Sequence, residues 1–116
     1  MSDQIADGLS PPYYAVIFTS LRTEGDEAAY QKTAQEMLDL AAQQPGYLGV
    51  ESAHSPGGLG MTISYWESLD AIANWKRVAE HRRAQALGKS QWYEQYRLRV
   101  CRVEREEGFA RTSSES

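Results

Sequence analysis

The stretch Tyr47–Trp66, "YLGVESAHSPGGLGMTISYW", decides the fold. Tyr47–His54 is an apolar-rich, strand-like run. Leu59–Trp66 alternates Leu59, Met61, Ile63 and Tyr65 against smaller or polar residues. Between them "SPGG", Ser55–Gly58, is a turn signal. Two strand-like runs around a short Gly-containing connection read as a β-hairpin.

Helical patterns flank the hairpin. Upstream, "TEGDEAAYQKTAQEMLDLAAQQPG", residues 23–46, carries Tyr30, Ala34, Met37, Leu38 and Ala41 at helical spacing. Acids gather at its start, with Asp26 near the N-cap, and Pro45-Gly46 ends it. Downstream, Ser68 is an N-cap and Asp70 stands in the first turn of a second helix. Leu69, Ile72, Ala73, Trp75 or Lys76, and Ala79 form its inner face, and Gly88 is its expected stop.

Beyond the helices lie two more strands. "YYAVIFTSL", Tyr13–Leu21, is β-branched and aromatic, with Tyr14, Val16 and Phe18 on one face and Tyr13, Ala15 and Ile17 on the other. "WYEQYRLRVCRVER", Trp92–Arg105, alternates Tyr96, Leu98 and Val100 against Arg97 and Arg99. The order β-α-β-β-α-β is the α+β, ferredoxin-like split-βαβ arrangement. Two helices cover one face of a four-stranded sheet, and strand one is apolar on both. A second copy of the chain is the natural cover, which predicts a homodimer forming an α+β barrel. The expected domain is 13–105, between flexible polar tails at 1–12 and 106–116.

The chain has 116 residues and a net charge of -4. That is one domain's length and speaks against a polyanion-binding protein, so no nucleic-acid partner is expected. A single cysteine, Cys101, allows no internal disulfide; a reducing, cytoplasmic setting and a small buried side chain are the expectations. "MSDQIADGLS" has neither a basic start nor an apolar run, so no signal peptide is expected, and no apolar stretch has the length of a membrane span.

His81 reads equally as a solvated helical histidine and as a site residue. It lies six residues beyond Trp75, about 120° around an unbroken helix. The two line one pocket only if the helix bends between them. His54 reads as a solvated residue beside the turn, and Glu51 as the partner of an arginine on strand four. No His/Cys/Asp/Glu grouping has metal-ligand spacing, so no metal is expected. Gly57-Gly58-Leu59-Gly60 joins strands and opens no helix, which excludes a phosphate loop.

At "PGYLGVES", "GMTISYWESLDAIANWK", "EHRRAQALG" and "WYEQYRLRVCRVER" the sequence resembles the antibiotic biosynthesis monooxygenase family. The resemblance covers about Tyr13–Arg105. It implies a dimeric α+β barrel with a pocket between sheet and helices. It also implies, as the leading function, a monooxygenase that oxidises a small phenolic or quinone-like aromatic molecule with no cofactor. In that reading Phe18, Tyr65, Trp66, Met37 and Ile72 line the pocket beside Trp75, and His81 is the base. Haem-degrading relatives imply a second function, haem binding or haem degradation. Trp75 falls at their Trp, but their His position falls near Gln85, and strand one offers Phe18, Thr19 and Ser20 without an Asn. A non-catalytic dimeric ligand-binding protein is the third reading.

Overall fold

A computed structural model describes residues 5–25, 27–85 and 92–111, with backbone alone for 83–85. The elements run β1 (Tyr13–Arg22), α1 (Glu27–Ala42), β2 (Tyr47–His54), β3 (Leu59–Trp66), α2 (Leu69–Gln85) and β4 (Tyr93–Val103). The expected element order is present. The strands form one antiparallel sheet in the order β2-β3-β1-β4. This is the ferredoxin-like arrangement.

Each boundary has a local cause. Ser55 N–H donates to the Leu59 carbonyl at 2.8 Å, closing the hairpin, and Gly58 turns it with φ of 94°. Helix α1 begins at Glu27, as an N-cap region near residue 26 implies. The Arg22 and Thr23 amides are spent on the Gly58 and Trp92 carbonyls, at 3.0 and 2.8 Å, which holds the backbone extended there. Gly46 follows α1 with φ of 87°, a conformation that costs other residues strain. The Ser68 Oγ accepts from the Ala71 amide at 3.0 Å, so Ser68 caps α2 as expected. The expected roles of Asp26 and Gly88 lie outside the described residues.

Pairing register sorts the side chains into two faces. Tyr14, Val16, Phe18, Ser20 and Arg22 of β1 face the helices, as do Ser64 and Trp66 of β3 and Tyr96, Leu98 and Val100 of β4. Val16, Ala41, Trp66 and Ile72 make the core on that side, with Tyr14, Tyr47, Ala71 and Trp75 packed around it. A register shift between Tyr47 and Gly49 lets Tyr47 join this core while Gly49 and Glu51 face the other way. Helix α2 is tied to α1 by an ion pair between Arg82 and Glu36.

The opposite face carries Tyr13, Ala15, Ile17, Thr19 and Leu21, with Leu59, Met61, Ile63 and Tyr65 beside them. One end of it is covered. The Ala6 amide donates to Glu51 at 2.9 Å, Tyr65 donates its hydroxyl to Glu51 at 2.6 Å, and Tyr13 donates to Glu106. The other end is open: Leu59 is 54% exposed and Met61 45%. Two readings are corrected here. Glu51 does not pair with an arginine of β4, because β2 and β4 are opposite edges of the sheet. Cys101 is exposed rather than buried, because it sits on edge strand β4 facing away from the helices.

Candidate functional site

The helix side of the sheet holds two groups of aromatic rings. The first is built on the end of β3. Trp66 is 0% exposed, and its Nε1–H donates to the Ser64 hydroxyl at 2.9 Å, so its one polar group is satisfied inside the core. Trp75 lies over it with centroids 6.0 Å apart and planes 20° from parallel. Tyr47 meets Trp66 edge-on at 5.6 Å. Ile72, one helical turn before Trp75, is buried in the same cluster. Trp66 and Ile72 are therefore core, and Trp75 is a half-buried ring resting on that core.

The second group spans β1, α1 and the start of β4. Phe18 meets Tyr93 at 5.5 Å and Tyr96 at 5.3 Å. Tyr30 of α1 meets Trp92 at 5.5 Å and Tyr93 at 6.2 Å, both edge-on. The Arg22 guanidinium lies over the Tyr30 ring at 3.6 Å. Tyr30 is buried, Phe18 half-buried, and Tyr96 54% exposed. Leu98 and Val100 continue this surface along β4 and are exposed too. The surface is thus ring-lined, apolar and open on the β4 side.

The sequence-derived site is divided by this geometry. Phe18 belongs to the second group, while Trp66, Trp75 and Ile72 belong to the first. Met37 is half-buried on α1. Tyr65 is removed from the pocket side: adjacent strand residues point to opposite faces, so Tyr65 faces away when Trp66 faces the helices. It meets Tyr13 there at 5.7 Å, and burial, with the Glu51 carboxylate next, pushes its hydroxyl pKa up. His81 is exposed, and α2 runs as one helix from Leu69 to Gln85, so the structure does not bring His81 to Trp75. Sequence reasoning missed Tyr30, Trp92, Tyr93 and Arg22. The run of aromatics at "WYEQY" was visible, but only tertiary contact with Tyr30 joins it to α1.

The family model for antibiotic biosynthesis monooxygenases matches residues 12–87. The chain belongs to the antibiotic biosynthesis monooxygenase family. Its sequence is 46% identical over 115 residues to the uncharacterised protein YqjZ of Bacillus subtilis, covering 99% of this chain and all (100%) of that one. SnoaB of Streptomyces nogalater, a cofactor-independent oxygenase, superposes with a TM-score of 0.67 at 11% identity, covering 82% of this chain and 96% of that one. PA3566 of Pseudomonas aeruginosa does so with a TM-score of 0.64 at 15% identity, covering 86% of this chain and 100% of its own. At these identities the structural likenesses establish a shared fold.

Haem held through an axial histidine, the ligand the sequence resemblance implies, does not fit the described residues. An axial histidine has to face the pocket. His54 is exposed on the hairpin and His81 is exposed on the flank of α2. Among the described residues no group of His, Cys, Asp and Glu is arranged to hold a metal ion. No described helix is long and apolar enough to cross a membrane.

Proposed function

We propose that this protein is a monooxygenase that oxidises a phenolic or quinone-like aromatic molecule with no added cofactor, working as a homodimer. The observation that carries the reading is the open aromatic surface of Phe18, Tyr93 and Tyr96, in a chain of this family. Electron-rich phenols lose a proton to give anions that reduce dioxygen. For a methylene flanked by aromatic rings the balance is one carbonyl formed and one water released for each dioxygen, both electron pairs coming from the two C–H bonds. The protein's part is to hold the ring flat against the aromatic wall and to favour its ionised form.

Phe18 and Tyr96 are the walls in this reading, and Trp75 rests on the neighbouring core instead. His81 was the base expected from sequence. Its exposure favours loss of the proton to solvent instead, so His81→Ala is expected to keep turnover within about threefold, whereas a true general base is worth about 10² to 10⁴. Support for the dimer is the bare end of the face away from the helices, where Leu21, Leu59 and Met61 lie exposed together.

The test is oxygen uptake by purified, metal-stripped protein with a panel of anthrones and hydroquinones. Substrate-dependent uptake above the uncatalysed rate, lost in a Phe18→Ala, Tyr96→Ala double variant, is expected. No uptake across the panel sinks the reading. Retained uptake in the double variant moves the site elsewhere.

A further inference from the structure

Arg22 ends β1 with its side chain on the helix side, where only 13% of it reaches solvent. Its Nη1 and Nη2 pair with the two oxygens of Glu27, at 3.0 and 2.9 Å. Its Nε is buried and has no hydrogen-bond partner among the described residues. A buried donor without an acceptor carries its desolvation cost uncompensated, so it calls for an explanation. Fastening α1 to β1 does not supply one. Glu27 has a side chain 63% exposed, and so exposed a partner contributes little to stability.

Position supplies the explanation. Arg22 stands at the end of the second aromatic group, over Tyr30 and next in line to Tyr93, Phe18 and Tyr96. A planar guanidinium stacks on rings and donates a two-point contact to an anionic oxygen or an adjacent oxygen pair. A cation held beside ring walls is the donor set for a flat aromatic anion.

We propose that Arg22 is the anion anchor of this site. It takes the ionised oxygen of a phenolic ligand whose ring lies against Phe18 and Tyr96, and the exposed Glu27 carboxylate gives way to it. The guanidinium lowers the pKa of the bound phenol, because a nearby opposite charge favours the ionised form. The phenol's O–H bond breaks, the electron pair stays on oxygen facing Arg22, and the proton passes to water. The proposal rests on the phenolic ligand class of the reading above and not on turnover.

The probe is alizarin, a dihydroxyanthraquinone dye that is already oxidised and changes colour on ionisation. It is titrated against the wild-type full chain, Arg22→Gln and Glu27→Gln across pH. With wild type, the bound dye is expected to ionise about one pH unit or more below the free dye. Arg22→Gln should abolish that shift and weaken binding about tenfold or more, as loss of a hydrogen bond to a charged group does. Glu27→Gln should tighten binding, since the competing carboxylate is gone. Circular dichroism and melting curves report whether Arg22→Gln folds; if it does not, Glu27→Gln decides. An unshifted dye on wild type, no binding, an equal shift in Arg22→Gln, or unchanged or weaker binding in Glu27→Gln each overturns the anchor. Oxygen uptake separates the two ideas. Uptake with an unshifted dye sinks the anchor alone, and a shifted dye without uptake sinks the oxygenase alone.

Discussion

Single side chains in this protein do different work on the two faces of one sheet. Tyr13 is buried on the face away from the helices, and burial, followed by its bond to Glu106, pushes its hydroxyl pKa up to about 12. The folded chain therefore holds that proton more tightly than the unfolded chain, whose tyrosines titrate near 10. Stability from this group is whole below pH 10 and is lost as pH rises toward 12. The melting temperature is expected to fall across that window, and to fall less steeply in Tyr13→Phe; equal slopes in a calorimetric pH series would count against it. Gly46 is a second such position. Its φ is 87°, and an added Cβ would lie 2.5 Å from the Ala71 Cβ. Gly46→Ala should destabilise by about 2 kcal/mol or more, since left-handed strain and overpacking each cost about 1–3 kcal/mol. A urea midpoint unchanged from wild type would refute this.

Elements end where particular hydrogen bonds end them. The Ser68 hydroxyl takes the Ala71 amide at the start of α2. Ser68→Ala should cost about 1 kcal/mol and Ser68→Asp should restore it, read from chemical denaturation. This cap was legible in "ESLD", because an N-cap is a local signal. The bond that closes the chain just after β1 was not. The Thr23 amide goes to Trp92, far along the chain, and no local pattern records that bond. The strand and hairpin boundaries were legible for the opposite reason: alternation and a Gly turn are both short-range. Helix α2 runs unbroken from Leu69 to Gln85.

At the scale of the molecule, the sheet has two unfinished surfaces. One is the helix-side apolar row of β4, proposed above as part of the ligand site. The other is the bare end of the opposite face, with Leu59 and Met61. Contiguous exposed apolar area of this kind marks an interaction site. Wild type is expected to sediment as a dimer, and the double variant Leu59→Lys, Met61→Lys as a monomer that still folds. A monomeric wild type at micromolar concentration, or a charged variant that stays dimeric, would remove this pairing surface.

The sequence by itself determined the element order, the hairpin, the cap of α2 and the two-faced character of β1. Each of these rests on residues close together in the chain, where periodicity and turn chemistry suffice. The tertiary structure alone decided which rings share a site. Trp66 and Tyr65 were read together, yet the pleat sends them to opposite faces. Glu51 was matched with β4, yet the strand order puts them at opposite edges and gives Glu51 the Tyr65 hydroxyl and the Ala6 amide instead. Arg22 drew no attention in the sequence, because its setting is made by Tyr30 and Glu27 across the β1–α1 turn and by Tyr93 from the far end of the chain. Adjacency in space between distant segments is set by packing, and no short window of sequence contains it.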